Sequence, residues 1–171
     1  MRYAHAMDGI KIAEGGMAVG VSGGRRAFAV ATLVCLGLLL LAMAAVAPPA
    51  SLPLLGFLVA AALAALALAV RLHAATATGL VYADGVLRER GGRVIARIED
   101  IEGVDRGTFA FKPSTGFLMT LRRGAPGARA WAPGLWWRVG RRVGIGGVMR
   151  ATESRALAEL LSLQVAARRG P

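Results

Sequence analysis

The chain has 171 residues, 56% of them hydrophobic, and carries a net charge of +11. That length allows one modest domain beyond a membrane segment, and the single cysteine, Cys35, excludes an intramolecular disulfide. The two histidines, His5 and His73, stand apart from any cysteine or carboxylate pattern, so neither a metal nor a cofactor is expected.

Only Lys11 and Lys112 among the cationic residues are lysine; the rest are arginine. A GC-rich coding bias inflates arginine together with alanine and glycine. Recognition of phosphate by the planar guanidinium is the competing reading, and both can hold.

Residues 1–24 show weak periodicity and contain Gly15, Gly16, Gly20, Gly23 and Gly24, which predicts a flexible cytoplasmic arm, with Met17 as an alternative start. Residues 27–70 contain no Asp, Glu, Lys or Arg, and Pro48, Pro49 and Pro53 divide them almost in half. The first half, 27–47, would reach roughly 31 Å as a helix, about the thickness of the hydrocarbon core of a bilayer. The second, about 53–71, is short but sufficient. The pair predicts a transmembrane helical hairpin over 25–72, with nothing more polar than Thr32 or Ser51 inside it, which argues against a transport path or an intramembrane active site.

Arg25 and Arg26 abut the first segment and Arg71 abuts the second, while the connecting loop is uncharged. The positive-inside rule then predicts a multi-pass protein of the cell inner membrane with both termini cytoplasmic. Arg25-Arg26 and Ala45-Val46-Ala47 imitate export signals. Pro48 after the would-be cleavage site and the second apolar run argue against processing. In that second run Gly56, Ala60 and Ala64 recur four apart, predicting close helix packing, either within the hairpin or against another copy.

From Gly79 the period becomes that of strands. Leu80-Val81-Tyr82 leads into the turn pair Asp84-Gly85, then 86–90, a Gly91-Gly92 turn, and 93–97, where adjacent Val94 and Ile95 predict burial on both faces. Ile98, Ile101 and Val104 suggest a short helical turn or tight bend, with Glu99, Asp100, Glu102 and Asp105 on its other face pairing with Arg97 and Arg106. That acidic group lacks the spacing of an EF-hand loop. Strands are expected at 108–111, 117–122 and 143–148. Thr152 would cap a helix over 152–168, whose apolar face carries Ala156, Leu157, Leu160, Leu161 and Val165.

This order predicts an α+β membrane protein: a two-helix hairpin, then a bent antiparallel sheet or open barrel over 79–171 closed by a C-terminal helix. The runs Leu80-Val81-Tyr82-Ala83-Asp84-Gly85-Val86-Leu87 and Ile95-Ala96-Arg97-Ile98-Glu99-Asp100-Ile101, with the helix from Thr152, resemble bacterial membrane proteins that pair a transmembrane hairpin with a pleckstrin-homology-like domain. The resemblance implies a binding and scaffolding module rather than an enzyme. It does not imply phosphoinositide binding.

All three tryptophans, Trp131, Trp136 and Trp137, lie within seven residues and are followed by Arg138, Arg141 and Arg142. Tryptophan favours the headgroup zone and arginine reaches lipid phosphate, so this segment is the candidate surface for anionic inner-leaflet lipid or a partner protein. The competing reading is that some tryptophans are core and the arginines merely solvated. The glycines at 140, 144, 146 and 147 match no nucleotide-binding fingerprint and read as turns or close strand approaches. Nucleic acid is not an expected partner, because the aromatics lack the spacing of a stacking motif. A structural subunit of a larger membrane complex, packing through Gly56, Ala60 and Ala64, is the alternative function.

Overall fold

The computed structural model describes residues 12–13, 16–105, 116–127 and 129–169. The expected strand at 108–111, Arg106 and His5 lie outside them. Among the described residues the first elements are β1 (Ile12–Ala13), β2 (Gly16–Val19) and the helices α1 (Gly23–Val46) and α2 (Leu52–Ala75). Strands β3 (Leu80–Ala83), β4 (Val86–Glu89) and β5 (Val94–Arg97) follow. After a 3-10 turn at Ile98–Asp100 come β6 (Ile101–Asp105), β7 (Phe117–Leu121), β8 (Ala130–Ala132), β9 (Trp136–Val139) and β10 (Arg142–Ile145), and α3 (Ala151–Arg169) ends the described chain.

The two long helices form an antiparallel hairpin, each of 24 residues, or about 36 Å at the α-helical rise. Their apolar surface is not used up inside the protein. Phe28 is 76% exposed, Phe57 67% and Val70 70%, on helices whose mean hydropathy over the most apolar 18 residues is 2.7 and 2.5. A helix that is apolar all round needs an apolar environment. The fold supplies it on one side only, which is consistent with a transmembrane hairpin.

Within the hairpin, Gly37 of α1 meets α2 so closely that an added Cβ would lie 2.7 Å from Leu66 and 3.1 Å from the Ala62 carbonyl. The α2 residues buried there are Ala62, Ala65, Ala69 and Leu72. Gly56, Ala60 and Ala64 are exposed instead, which corrects the expectation that they pack within the hairpin. Alanine is so frequent in α2 that small residues line several faces. Two positions advance the helix by about 200°, so the stripe through 60 and 64 turns away when 62 faces α1.

The larger departure concerns the N-terminal residues. Gly16–Val19 form a fully buried strand, β2, paired antiparallel with β3 in the register Val19↔Leu80 and Gly16↔Ala83. The predicted flexible arm is therefore, over these residues, part of the sheet. The hairpin is an insertion between two hydrogen-bonded neighbours, and the domain is discontinuous in sequence rather than beginning at residue 79. Gly16 suits the close pairing, because a Cβ there would stand 2.7 Å from that of Ala83.

The two described sheets have the orders β1-β2-β3-β4-β5 and β6-β7-β10-β9-β8, with the paired strands antiparallel. The Asp84-Gly85 turn forms as expected, both residues having positive φ (52° and 74°), as the hairpin turn requires. In β5 the buried neighbours are Ile95 and Ala96, while Val94 is exposed. A register shift between Leu87 and Arg88 moves the pairing by one residue and reverses the expected facing of Val94.

Phe117, Met119, Leu121, Val143 and Ile145 meet Leu80 and Leu87 in one core, closed by Leu157, Leu161 and Val165 of α3. Helix α3 starts at Ala151, with Ser154 N donating to the Arg150 carbonyl, so Arg150 rather than Thr152 is the residue at the helix entry. Polar ties also cross the layers. Trp136 Nε1 donates to Glu89 Oε1 at 2.7 Å, joining β9 to β4, and the Tyr82 hydroxyl donates to Gln164 Oε1, joining β3 to α3.

Candidate functional site

In β9 side chains alternate between faces, and burial follows: Trp136 and Arg138 are buried, Trp137 is half-buried and Val139 exposed. Trp136 is therefore core. Arg138 is also interior, its guanidinium donating to the carbonyls of Pro126 (2.7 Å) and Ala125 (3.0 Å), so it holds the 122–127 loop rather than facing a ligand. Arg141 sits in the β9–β10 turn, donating to the Leu121 carbonyl at 2.8 Å and pairing with Glu102. Three of the six predicted site residues are thus committed to the structure of the domain.

The other three share the outer face of the second sheet. Trp131 stands directly opposite Trp137 across β8 and β9, and Trp137 stands opposite Gly144 across β9 and β10. Gly144 makes room for the indole, because a Cβ there would lie 2.4 Å from Trp137 ring atoms. Arg142 pairs with Val139 two rungs further on, so it lies on the same face, about 7 Å along the strand from the tryptophan rung. Arg129, two residues before Trp131, joins them and lines a shallow groove with both tryptophans and Val139. Sequence reasoning missed Arg129, although its spacing of two from Trp131 is the signal for a shared strand face. Trp131 is 53% exposed, and Arg129 and Arg142 are exposed cations with no ion pair among the described residues.

This face is placed relative to the hairpin by a set of short-range contacts. Backbone bonds run from Ser22 N to the Val148 carbonyl (2.8 Å) and from Arg150 N to the Gly20 carbonyl (3.1 Å), zipping the entry to α1 against the β10–α3 link. Arg26 Nη2 donates to the His73 carbonyl at 3.1 Å, tying the start of α1 to the last turn of α2, where a cation also offsets the exposed carbonyls. The β8–β9 turn then abuts α2. A Cβ on Gly134 (φ 76°) would stand 2.6 Å from Leu72 and 3.3 Å from Thr76, so that position is held by a residue without one. The Trp131–Trp137 rung is the second rung from this turn.

The acidic residues 99–105 do not converge. Glu99 pairs with Arg97 at 3.7 Å in solvent, and Glu102 pairs with Arg141. Exposed pairs of this kind contribute about 0–1 kcal/mol. The glycines at 140, 146 and 147 take positive φ in turns.

No family model, curated protein or solved structure matches the chain.

Proposed function

We propose that the chain is a membrane-anchored, non-catalytic binding module that holds a basic, pleckstrin-homology-like domain against the cytoplasmic face of the inner membrane. The observation that carries this reading is the insertion of the apolar hairpin between β2 and β3, both of its ends hydrogen-bonded to the domain. A domain attached at two adjacent strands has little freedom to swing, so one face of it is held towards the bilayer. Arg25, Arg26 and Arg71 at the domain end of the hairpin favour the cytoplasmic leaflet by the positive-inside rule.

On this reading the outer face with Trp131, Trp137 and Val139 rests in the headgroup zone, and Arg129 and Arg142 meet lipid phosphate. Amphipathic indole rings partition there, and each arginine near an anionic surface adds about 1 kcal/mol of attraction. The test is tryptophan quenching in vesicles containing phosphatidylcholine brominated near the glycerol backbone, with the protein reconstituted through its hairpin. W131F and W137F should each remove part of the quenchable emission, whereas W136F should remove little. Emission that brominated lipid leaves unquenched, in protein that floats with the vesicles, would contradict lipid contact by this face.

A further inference from the structure

A cleft of about 340 Å³ lies where the domain meets the ends of α1 and α2, in the lower size range of small-molecule sites. Arg26, Arg90, Arg150 and Glu153 supply its charged lining, with Gly20 and Thr78 beside them. Three guanidinium groups against one carboxylate leave a local excess of two positive charges. Glu153 is already occupied, accepting from Gly20 N with Oε2 and from Arg150 Nη1 with Oε1 at 3.0 Å. The remaining donors are not used up. Arg90 is exposed and its guanidinium makes no hydrogen bond or ion pair among the described residues, and Arg26 Nε is buried without a partner.

An arginine N–H buried without an acceptor is costly, and a bound oxyanion would relieve that cost. The donors here come from three separate segments: the first turn of α1, the β4–β5 turn and the entry to α3. The acceptor they suit is an oxyanion that can bridge them. A phosphate fits better than a carboxylate, because it offers oxygens in several directions to converging guanidinium forks. The cleft sits beside Gly23 and Thr76, at the ends of the apolar helices, which is the depth at which phospholipid phosphates lie on the reading above.

We infer that this junction cleft is a binding site for the phosphate of one anionic phospholipid, held by Arg26, Arg90 and Arg150. The inference rests on the membrane-anchored reading and adds to it a defined site with lipid selectivity, separate from the aromatic face of the second sheet. Glu153 acts within it as a positioning residue, fixing Arg150 and the Gly20 backbone while leaving the net charge positive.

The test is native mass spectrometry of the full chain released from mild detergent after equilibration with equal amounts of phosphatidylglycerol and phosphatidylcholine. Wild-type protein should retain one phosphatidylglycerol in preference to phosphatidylcholine. The double variant R90Q/R150Q should lower that preference about tenfold, because it removes charge-assisted hydrogen bonds at two of the three corners. R123Q, at the exposed tip of the β7–β8 connection and outside both lipid-contacting surfaces, should leave it unchanged. Equal retention of the two lipids, or an undiminished preference in R90Q/R150Q, would overturn the inference. A parallel arm adds millimolar inorganic phosphate: displacement of the retained phosphatidylglycerol at that concentration would assign the cleft to a soluble phosphate and overturn the lipid assignment. The quenching measurement separates the two readings. Normal quenching of Trp131 and Trp137 without lipid selectivity sinks only the cleft, while protein that fails to insert sinks both.

Discussion

Arg138 is 7% exposed and its guanidinium is bonded to two carbonyls of the 122–127 loop, in a segment whose composition reads as surface. Adjacent tryptophans in a strand must point to opposite faces, so one of Trp136 and Trp137 had to be core, and the sequence contains nothing that says which. The inward pair is Trp136 and Arg138, each with its own partners: Arg138 donates to carbonyls of the 122–127 loop and Trp136 to Glu89. At the same scale, Tyr82 links the core to α3, and burial raises its hydroxyl above the ordinary value of 10.0 despite the opposing charge of Arg168. The sign follows from proton binding. Between 10.0 and the higher folded value the unfolded chain loses the proton first, so stability is undiminished below pH 10 and falls as pH rises through that window. Thermal unfolding of the detergent-solubilised protein from pH 8 to 11 should show a steeper alkaline decline for wild type than for Y82F. Parallel profiles would show that Tyr82 does not contribute.

At the scale of elements, those encoded by long or locally closed signals were legible. The hairpin follows from 44 residues without a formal charge, the β3–β4 turn from Asp84-Gly85, and α3 from the spacing of Leu157, Leu161 and Val165. Strand β2 was not legible, because Gly-Met-Ala-Val among glycines is too short to show a period, and its partner β3 lies beyond the whole hairpin. Its pairing can be tested with two glycines of equal φ. Gly79 and Gly124 both have φ of 80°, but a Cβ on Gly79 would stand 2.7 Å from the carbonyl of Val19 at the end of β2, whereas one on Gly124 meets nothing within 4 Å. Replacing Gly124 with alanine should cost about 1–2 kcal/mol, the left-handed conformational penalty alone. G79A should cost at least about 1 kcal/mol more, because Val19 is held in the sheet and cannot yield. Equal unfolding midpoints for the two variants would mean that β2 does not pack against the start of β3.

For the whole molecule, one consequence dominates: an apolar hairpin inserted between neighbouring strands, with backbone bonds from its entry to the β10–α3 link, is tied to the domain at both ends. The outer-face patch and the junction cleft both take their proposed roles from that attachment, and neither could be assembled from sequence alone. Trp131 and Arg142 come onto one sheet face only through strand pairing, and Arg26, Arg90 and Arg150 come from segments separated by 64 and 60 residues. The measurement that bears most directly on this is cysteine accessibility in sealed membrane vesicles of known orientation. In a C35A background, A50C marks the exposed loop between the helices and R123C marks the exposed tip of the β7–β8 connection. A membrane-impermeant maleimide should label A50C only from the outer side and R123C only from the cytoplasmic side; labelling of both from the same side would contradict a hairpin that spans the bilayer and holds the domain at the inner leaflet.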